Sequence, residues 1–249
     1  MLLAIDIGNS STKFGVYEQE SLVSRVVVPT GGEQTADEIN SVFQNNAARK
    51  FSAVVVSSVV PEANEAFRRF AEKFHNVEPI FIKTSLELGL KIKYTPPETL
   101  GVDRLVAAFA AVEKYGKPCV VCDFGTATTI DAVNSRSEYL GGIIAPGMDA
   151  MRESLFLNTA VLPLVKLRKP ENVIGNSTVT SIQSGIYFGY ISLVDGVIER
   201  MTSELGEQPK VVATGGLASV IAESSEKIET VDENLMLEGL RLIYEKRLR

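Results

Sequence analysis

One histidine, His75, and two cysteines, Cys119 and Cys122, are all the soft ligands and thiols that 249 residues hold. Cys119-Val120-Val121-Cys122 has C-x-x-C spacing, but it lies in an apolar run, with no second pair to complete a zinc set. Core packing is the expected role of both thiols. His75 closes an amphipathic stretch and is expected at the surface or at a helix C-terminus. No run approaches the roughly 18 apolar residues of a membrane helix. Only four apolar residues follow Met1 before Asp6 interrupts them. That is too short for a signal-peptide core and reads as the start of a strand. Few cysteines and no export signal make a reducing cytoplasm the expected compartment. Positive charge is also in deficit, 25 Lys and Arg against 31 Asp and Glu for a net −6. Neither nucleic acid nor a membrane is therefore expected as a partner. A small anion remains possible, because a few placed cations and backbone amides can hold one locally.

Two familiar nucleotide signatures are missing as well. No Gly-x-Gly-x-x-Gly occurs, and Gly116-Lys117 runs into Pro118 rather than completing a Gly-x-x-x-x-Gly-Lys-(Ser/Thr) loop. What is present is one phrase written twice. Residues 2–7 form an apolar run ending in Asp6-Ile7-Gly8-Asn9, followed by Ser10, Ser11, Thr12 and Lys13. Residues 119–124 repeat the pattern and end in Asp123-Phe124-Gly125-Thr126, followed by Ala127, Thr128 and Thr129. Two such turns half a chain apart predict a duplicated fold with two phosphate-facing hairpins. Gly8 and Gly125 are expected to supply positive φ and close backbone approach. Asn9, Ser10, Thr12, Thr126 and Thr128 add side-chain donors, and Lys13 a point charge. Asp6 and Asp123 would repel bare phosphate, so holding a cation or its waters beside it suits them better.

Around these turns the pattern is α/β. Strands are predicted at 2–7, 13–17, 22–28, 51–60 and 79–82, with helices over 35–45, from Pro61 onward, and over 101–115. The second half repeats the order: strand, hairpin, strand, a run over 139–144, then helices at 148–155 and 178–203, a strand at 210–214 and a helix at 234–246. A division into domains 1–115 and 116–249 follows. With 45% hydrophobic residues the chain has ample material for both cores.

Two further elements carry chemistry. Ala213-Thr214-Gly215-Gly216 ends a strand on bare backbone, which suits the flat face of an adenine or ribose. Gly101-Val102-Asp103-Arg104 opens a helix after Pro96-Pro97. There Asp103 could take a proton from a hydroxyl and Arg104 grip a carboxylate or phosphate. The same pair would serve equally as a capping aspartate with a solvated arginine.

Together these elements resemble the acetate-and-sugar-kinase/Hsp70/actin superfamily and, within it, type III pantothenate kinases. The resemblance rests on Asp6 to Ser10, Ser57-Ser58-Val59-Val60-Pro61, Gly101 to Arg104, Asp123 to Thr129, Gly141-Gly142-Ile143-Ile144-Ala145-Pro146-Gly147, Thr178 to Gly185, and Ala213 to Gly216. It implies two actin-like (ribonuclease H-like) domains with mixed sheets flanked by helices and ATP in the cleft between them. Asp6, Ile7, Gly8, Asn9, Ser10, Ser11, Thr12, Lys13 and Thr126 would contact ATP. Asp103 would be the base acting on the pantothenate hydroxyl, with Tyr94, Gly101, Val102, Arg104 and Thr178 lining the pocket. Asp123 would ligate a monovalent cation, potassium or ammonium, and Mg2+ would come with ATP. A homodimer with Thr178 and its helix near the interface is implied too. The rival readings are an ATP-dependent kinase of another small hydroxylated acceptor and a non-catalytic, actin-like nucleotide switch.

Overall fold

A computed structural model describes residues 1–31, 34–43 and 50–248. The chain forms two compact units, Met1–Glu113 with Asn234–Arg249, and Lys114–Glu233.

In the first unit the sheet runs in the order β3-β2-β1-β4-β5. These strands are Ser21–Pro29, Ser11–Glu18, Leu2–Ile7, Ala53–Ser58 and Ile80–Phe81. β1 pairs antiparallel with β2 and parallel with β4, so the sheet is mixed. Alternation sends Leu3, Ile5, Ile7, Val54 and Val56 to one face. There they join Phe14, Phe43, Phe51, Phe67 and Phe70 in a core under helices α1 (Ala36–Ser41) and α2 (Asn64–Phe70). Each such aromatic contributes roughly 1.5–3 kcal/mol by leaving water. The alternate residues, Ala4 and Asp6 on β1 with Val55 and Ser57 on β4, occupy the opposite face. A two-residue strand β6 (Lys91–Ile92) and helix α3 (Val102–Tyr115) complete this stretch of chain. The C-terminal helix α7 (Leu235–Ile243) packs on β1, β2 and β4, with Leu237 against Gly15. That packing explains why residues 234–249 fold with the first unit, rather than with the second as a split into continuous halves 1–115 and 116–249 would have it.

The second unit has strands β7 (Cys119–Phe124), β8 (Ala127–Val133), β9 (Glu138–Pro146), β10 (Lys210–Thr214) and β11 (Thr230–Val231). They order as β9-β8-β7-β10-β11, antiparallel from β9 to β7 and parallel beyond. This is the connectivity of the first sheet, so the doubled phrase marks a doubled fold. Helices α4 (Met148–Leu157), α5 (Thr178–Leu205) and α6 (Ala218–Ala222) flank it. Ile182, Ile186, Tyr190 and Val194 of α5 pack on Val120, Cys122 and Ile130.

Both cysteines are buried and free in the strand core, as their apolar setting predicts. His75 is not at the surface. It is buried, with its ring 4.5 Å from Phe51 and 4.9 Å from Phe70, centroid to centroid. The helix from Pro61 starts as a tight turn, Pro61–Ala63, and ends in a wider turn, Ala71–His75, that folds the imidazole inward. Residues 44 and 45, the end of the helix expected over 35–45, lie outside the described residues. Among the described residues no helix is long and apolar enough to cross a membrane.

Candidate active site

The first turn begins where β1 ends. Asp6 and Lys13 stand opposite each other across β1 and β2. Between them Gly8 N donates to Ser11 O at 3.1 Å, and Thr30 Oγ1 donates to Gly8 O at 2.7 Å. Thr30 also meets Thr12 Oγ1 at 2.9 Å. Thr30 therefore pins the turn from just beyond β3, a role its local sequence does not signal. Neither Gly8 nor Gly125 adopts the expected positive φ. What glycine supplies at position 8 is closeness, since a Cβ there would lie 3.1 Å from Ser11 O.

Asp6 is 7% exposed, with Lys13 Nζ 3.4 Å from its Oδ2. Burial pushes its pKa up, the Lys13 ammonium pulls it down, and the negative charge of Asp103 pushes it up again. Asp103 lies in the first turn of α3, and its Oδ1 accepts from Arg104 N at 2.8 Å. Two mutually repelling carboxylates at a phosphate-type turn suit a divalent cation brought in by a polyanion. Arg104 is buried rather than solvated. Its Cζ sits 5.4 Å from the Tyr94 ring centroid, and Nη1 donates to the Tyr94 hydroxyl at 3.5 Å. Asp6, Lys13, Tyr94, Asp103 and Arg104 are thus parts of one unit, with Asp6, Lys13 and Asp103 in electrostatic contact.

The second turn lies in the other unit. Asp123 on β7 is the register partner of Thr129 on β8 and of Thr214 on β10. Just past β10, Gly215 has φ +94°, and a Cβ there would meet Asp123 Oδ1 at 2.5 Å and the Phe124 backbone at 2.6 Å. The Thr-Gly-Gly strand end therefore lies flush against the second turn, a contact that only glycine permits. Thr126 is exposed at the tip, where its carbonyl accepts from Gly147 N at 3.2 Å. Thr128 is buried and hydrogen-bonds Tyr190 of α5. Thr178 opens α5 and lines a groove of about 950 Å³ with Pro146, Met151, Leu155, Ile182 and Ile186. Among the described residues no three His, Cys, Asp or Glu side chains gather as a metal set. A cation at either turn would share the ligands of its substrate, as Mg2+ commonly does.

Two sheets that share one five-strand order, each with a carboxylate-bearing Asp-x-Gly turn at the end of the middle strand of the five, define an actin-like α/β protein. Solved structures share that fold. Component A of (R)-2-hydroxyglutaryl-CoA dehydratase from Acidaminococcus fermentans matches with a TM-score of 0.55 and 16% identity, over 100% of this chain and 99% of that one. MreB 5 of Spiroplasma citri, bound to AMPPNP, matches with a TM-score of 0.52 and 12% identity, over 98% and 96%. At the sequence level, the family profile of type III pantothenate kinase matches residues 2–200. A type III pantothenate kinase from Halalkalibacterium halodurans is 43% identical over 100% of both chains. The chain belongs to the type III pantothenate kinase family.

Proposed function

We propose that this chain is an enzyme that transfers the γ-phosphoryl group of ATP to the primary hydroxyl of pantothenate, giving 4'-phosphopantothenate at the start of coenzyme A biosynthesis. The observation that carries the reading is the convergence of Asp6, Lys13 and Asp103 within one unit of a chain belonging to this family. Phosphoryl transfer asks a protein mainly for positioning and charge neutralisation. Ile7 to Thr12 present backbone and hydroxyl donors to the triphosphate, and Lys13 offers its ammonium. In the second unit, Thr126 contributes the second phosphate contact and Gly215-Gly216 the surface for adenosine. Asp103 accepts the proton of the attacking hydroxyl. Arg104, braced on Tyr94, holds the pantothenate carboxylate, with Gly101 and Val102 beside it. Asp6 would stand beside the Mg2+ that comes with ATP, which would supply charge neutralisation, and Asp123 would offer a carboxylate oxygen to a potassium or ammonium ion.

A homodimer is part of the proposal. Its support is exposed apolar side chains in the second unit, where Leu157, Val161 and Ile174 are more than 70% exposed. The proposed compartment is the cytoplasm, where thiols such as Cys119 and Cys122 stay reduced.

The test is ADP release from magnesium-ATP with and without pantothenate, in potassium and then in sodium buffer. Release that needs pantothenate and potassium supports both the acceptor and the monovalent site. Release that ignores pantothenate sends the reading to another acceptor. In the same assay Asp103→Asn is expected to bind both substrates while turnover falls roughly 100-fold or more. Unchanged turnover removes Asp103 from the mechanism.

A further inference from the structure

The two turns are braced at one matching position. Pro29 ends β3 opposite Ser11, and Pro146 ends β9 opposite Ala127. The residue after each proline, Thr30 or Gly147, donates its N–H to the carbonyl just before that partner, Ser10 O at 3.1 Å and Thr126 O at 3.2 Å. In the second unit nothing more would fit, since a Cβ on Gly147 would lie 2.7 Å from the Gly125 and Thr126 carbonyl oxygens. The first turn is longer. Residues 8–11 lie between the paired Ile7 and Thr12, against residues 125–127 between the paired Phe124 and Thr128. There a threonine side chain has room, and it adds two hydrogen bonds. Its hydroxyl proton goes to Gly8 O, so in the 2.9 Å contact between the two threonines it is Thr12 that donates. Thr12 is fully buried, and its hydroxyl acts within the turn.

These contacts set where the amides of the first turn point. A trans peptide sends its N–H opposite its C=O. The peptides of this turn are trans, so with the Gly8 and Ser10 carbonyls held by Thr30, the N–H groups of Asn9 and Ser11 are directed away from it. Turn amides aimed to one side make a concavity for an anion. We propose that Thr30 is a positioning residue for the nucleotide, whose hydroxyl and backbone N–H fix the two carbonyls so that the amides of the first turn face the triphosphate. The inference rests on the assignment of the triphosphate to that turn. Donors already fixed in place bind phosphate without the entropy loss of ordering an exposed tip. Gly147 makes the backbone bond alone. The hydroxyl is what Thr30 adds to it, and the hydroxyl is what a test must remove.

The test compares Thr30→Val, which keeps the shape and loses the hydroxyl, with Thr30→Ser, which keeps the hydroxyl, in the full chain. Three quantities are measured: affinity for magnesium with a non-hydrolysable ATP analogue, melting temperature without ligand, and steady-state kinetics. Thr30→Val is expected to lose about tenfold in analogue affinity and to raise the KM for ATP by a similar factor, with the KM for pantothenate unchanged. Thr30→Ser is expected to stay within about threefold of wild type. Thr30→Val also strands the buried Thr12 hydroxyl, so its melting temperature should fall by a few degrees. Adding Thr12→Val removes that hydroxyl and is expected to recover the melting temperature but not the affinity. Recovery of both would make Thr30 a structural residue and overturn the proposal. Wild-type affinity in Thr30→Val overturns it too, as does an equal loss in Thr30→Ser. Analogue affinity needs no acceptor. If the wild type ignores pantothenate while Thr30→Val still loses affinity, the acceptor assignment fails and the role of Thr30 stands. A wild type that does not bind the analogue overturns both.

Discussion

Gly101 and Asp103 show how one missing methyl group sets the position of a carboxylate. A Cβ on residue 101 would come within 2.4 Å of Asp103 Oδ1. The obstructing atom is the end of a flexible side chain, so Gly101→Ala forces the carboxylate aside rather than breaking the backbone. Melting temperature is expected to stay within a few degrees of wild type. If Asp103 is the base proposed above, turnover is expected to fall roughly 10- to 100-fold, because a carboxylate displaced by about an ångström no longer meets the proton. A variant that retains wild-type turnover would mean that the carboxylate's position does not matter. The closeness of Asp103 to Gly101 and Arg104 was legible in the sequence because the three lie within one four-residue stretch. Ser57 beside Asp6 and Gly215 beside Asp123 were not, since strand register alone joins residues so distant along the chain. The same holds for Thr30 on Gly8.

At the scale of elements, amphipathic spacing located the long helices well, and their termini shifted by a residue or two. Two-residue strands such as β6 and β11 carry no readable period and went unseen, as did the five-residue α6. The start of α5 bears on the proposed acceptor binding because Thr178 is its first residue. Ser177 Oγ accepts from Thr180 N at 3.2 Å, and Thr180 Oγ1 accepts from Ser177 N at 3.0 Å. This reciprocal cap satisfies donors that the first turn would otherwise leave bare. Ser177→Ala is expected to cost about 1 kcal/mol in chemical denaturation. It should also fray the turn that presents Thr178, raising the KM for pantothenate several-fold with kcat nearly unchanged. A loss of kcat at constant KM would place the Thr178 turn in the chemistry instead of in acceptor binding.

For the molecule as a whole, the duplication is almost complete in strand order, but only the first unit encloses a histidine. The only histidine of the chain is packed inside the first unit, with neither ring nitrogen hydrogen-bonded. Burial lowers its pKa, and the nearby Lys50 lowers it further. A free histidine titrates near about 6.5, so as pH falls the unfolded chain takes up this proton before the folded one does. Stability is therefore fully present above about pH 6.5. It declines as pH drops toward the folded pKa, by about 1.4 kcal/mol for each unit separating the two values. Ordinary carboxylates titrate lower, and Asp6, raised by burial, takes up its proton in the folded state first and so opposes the decline; the loss setting in below about pH 6.5 is assigned to His75. Denaturation midpoints at pH 7.5 and 5.5 are expected to differ in the wild type and to converge in His75→Phe, which keeps an aromatic ring among Phe51 and Phe70. Hydrogen exchange gives the location. Acid should raise exchange in the unit of residues 1–113 and 234–249 and spare that of 114–233, which holds no imidazole. Equal loss of protection in both units would assign the acid sensitivity to carboxylates spread over the chain, and His75 would then be an aromatic core residue and nothing more.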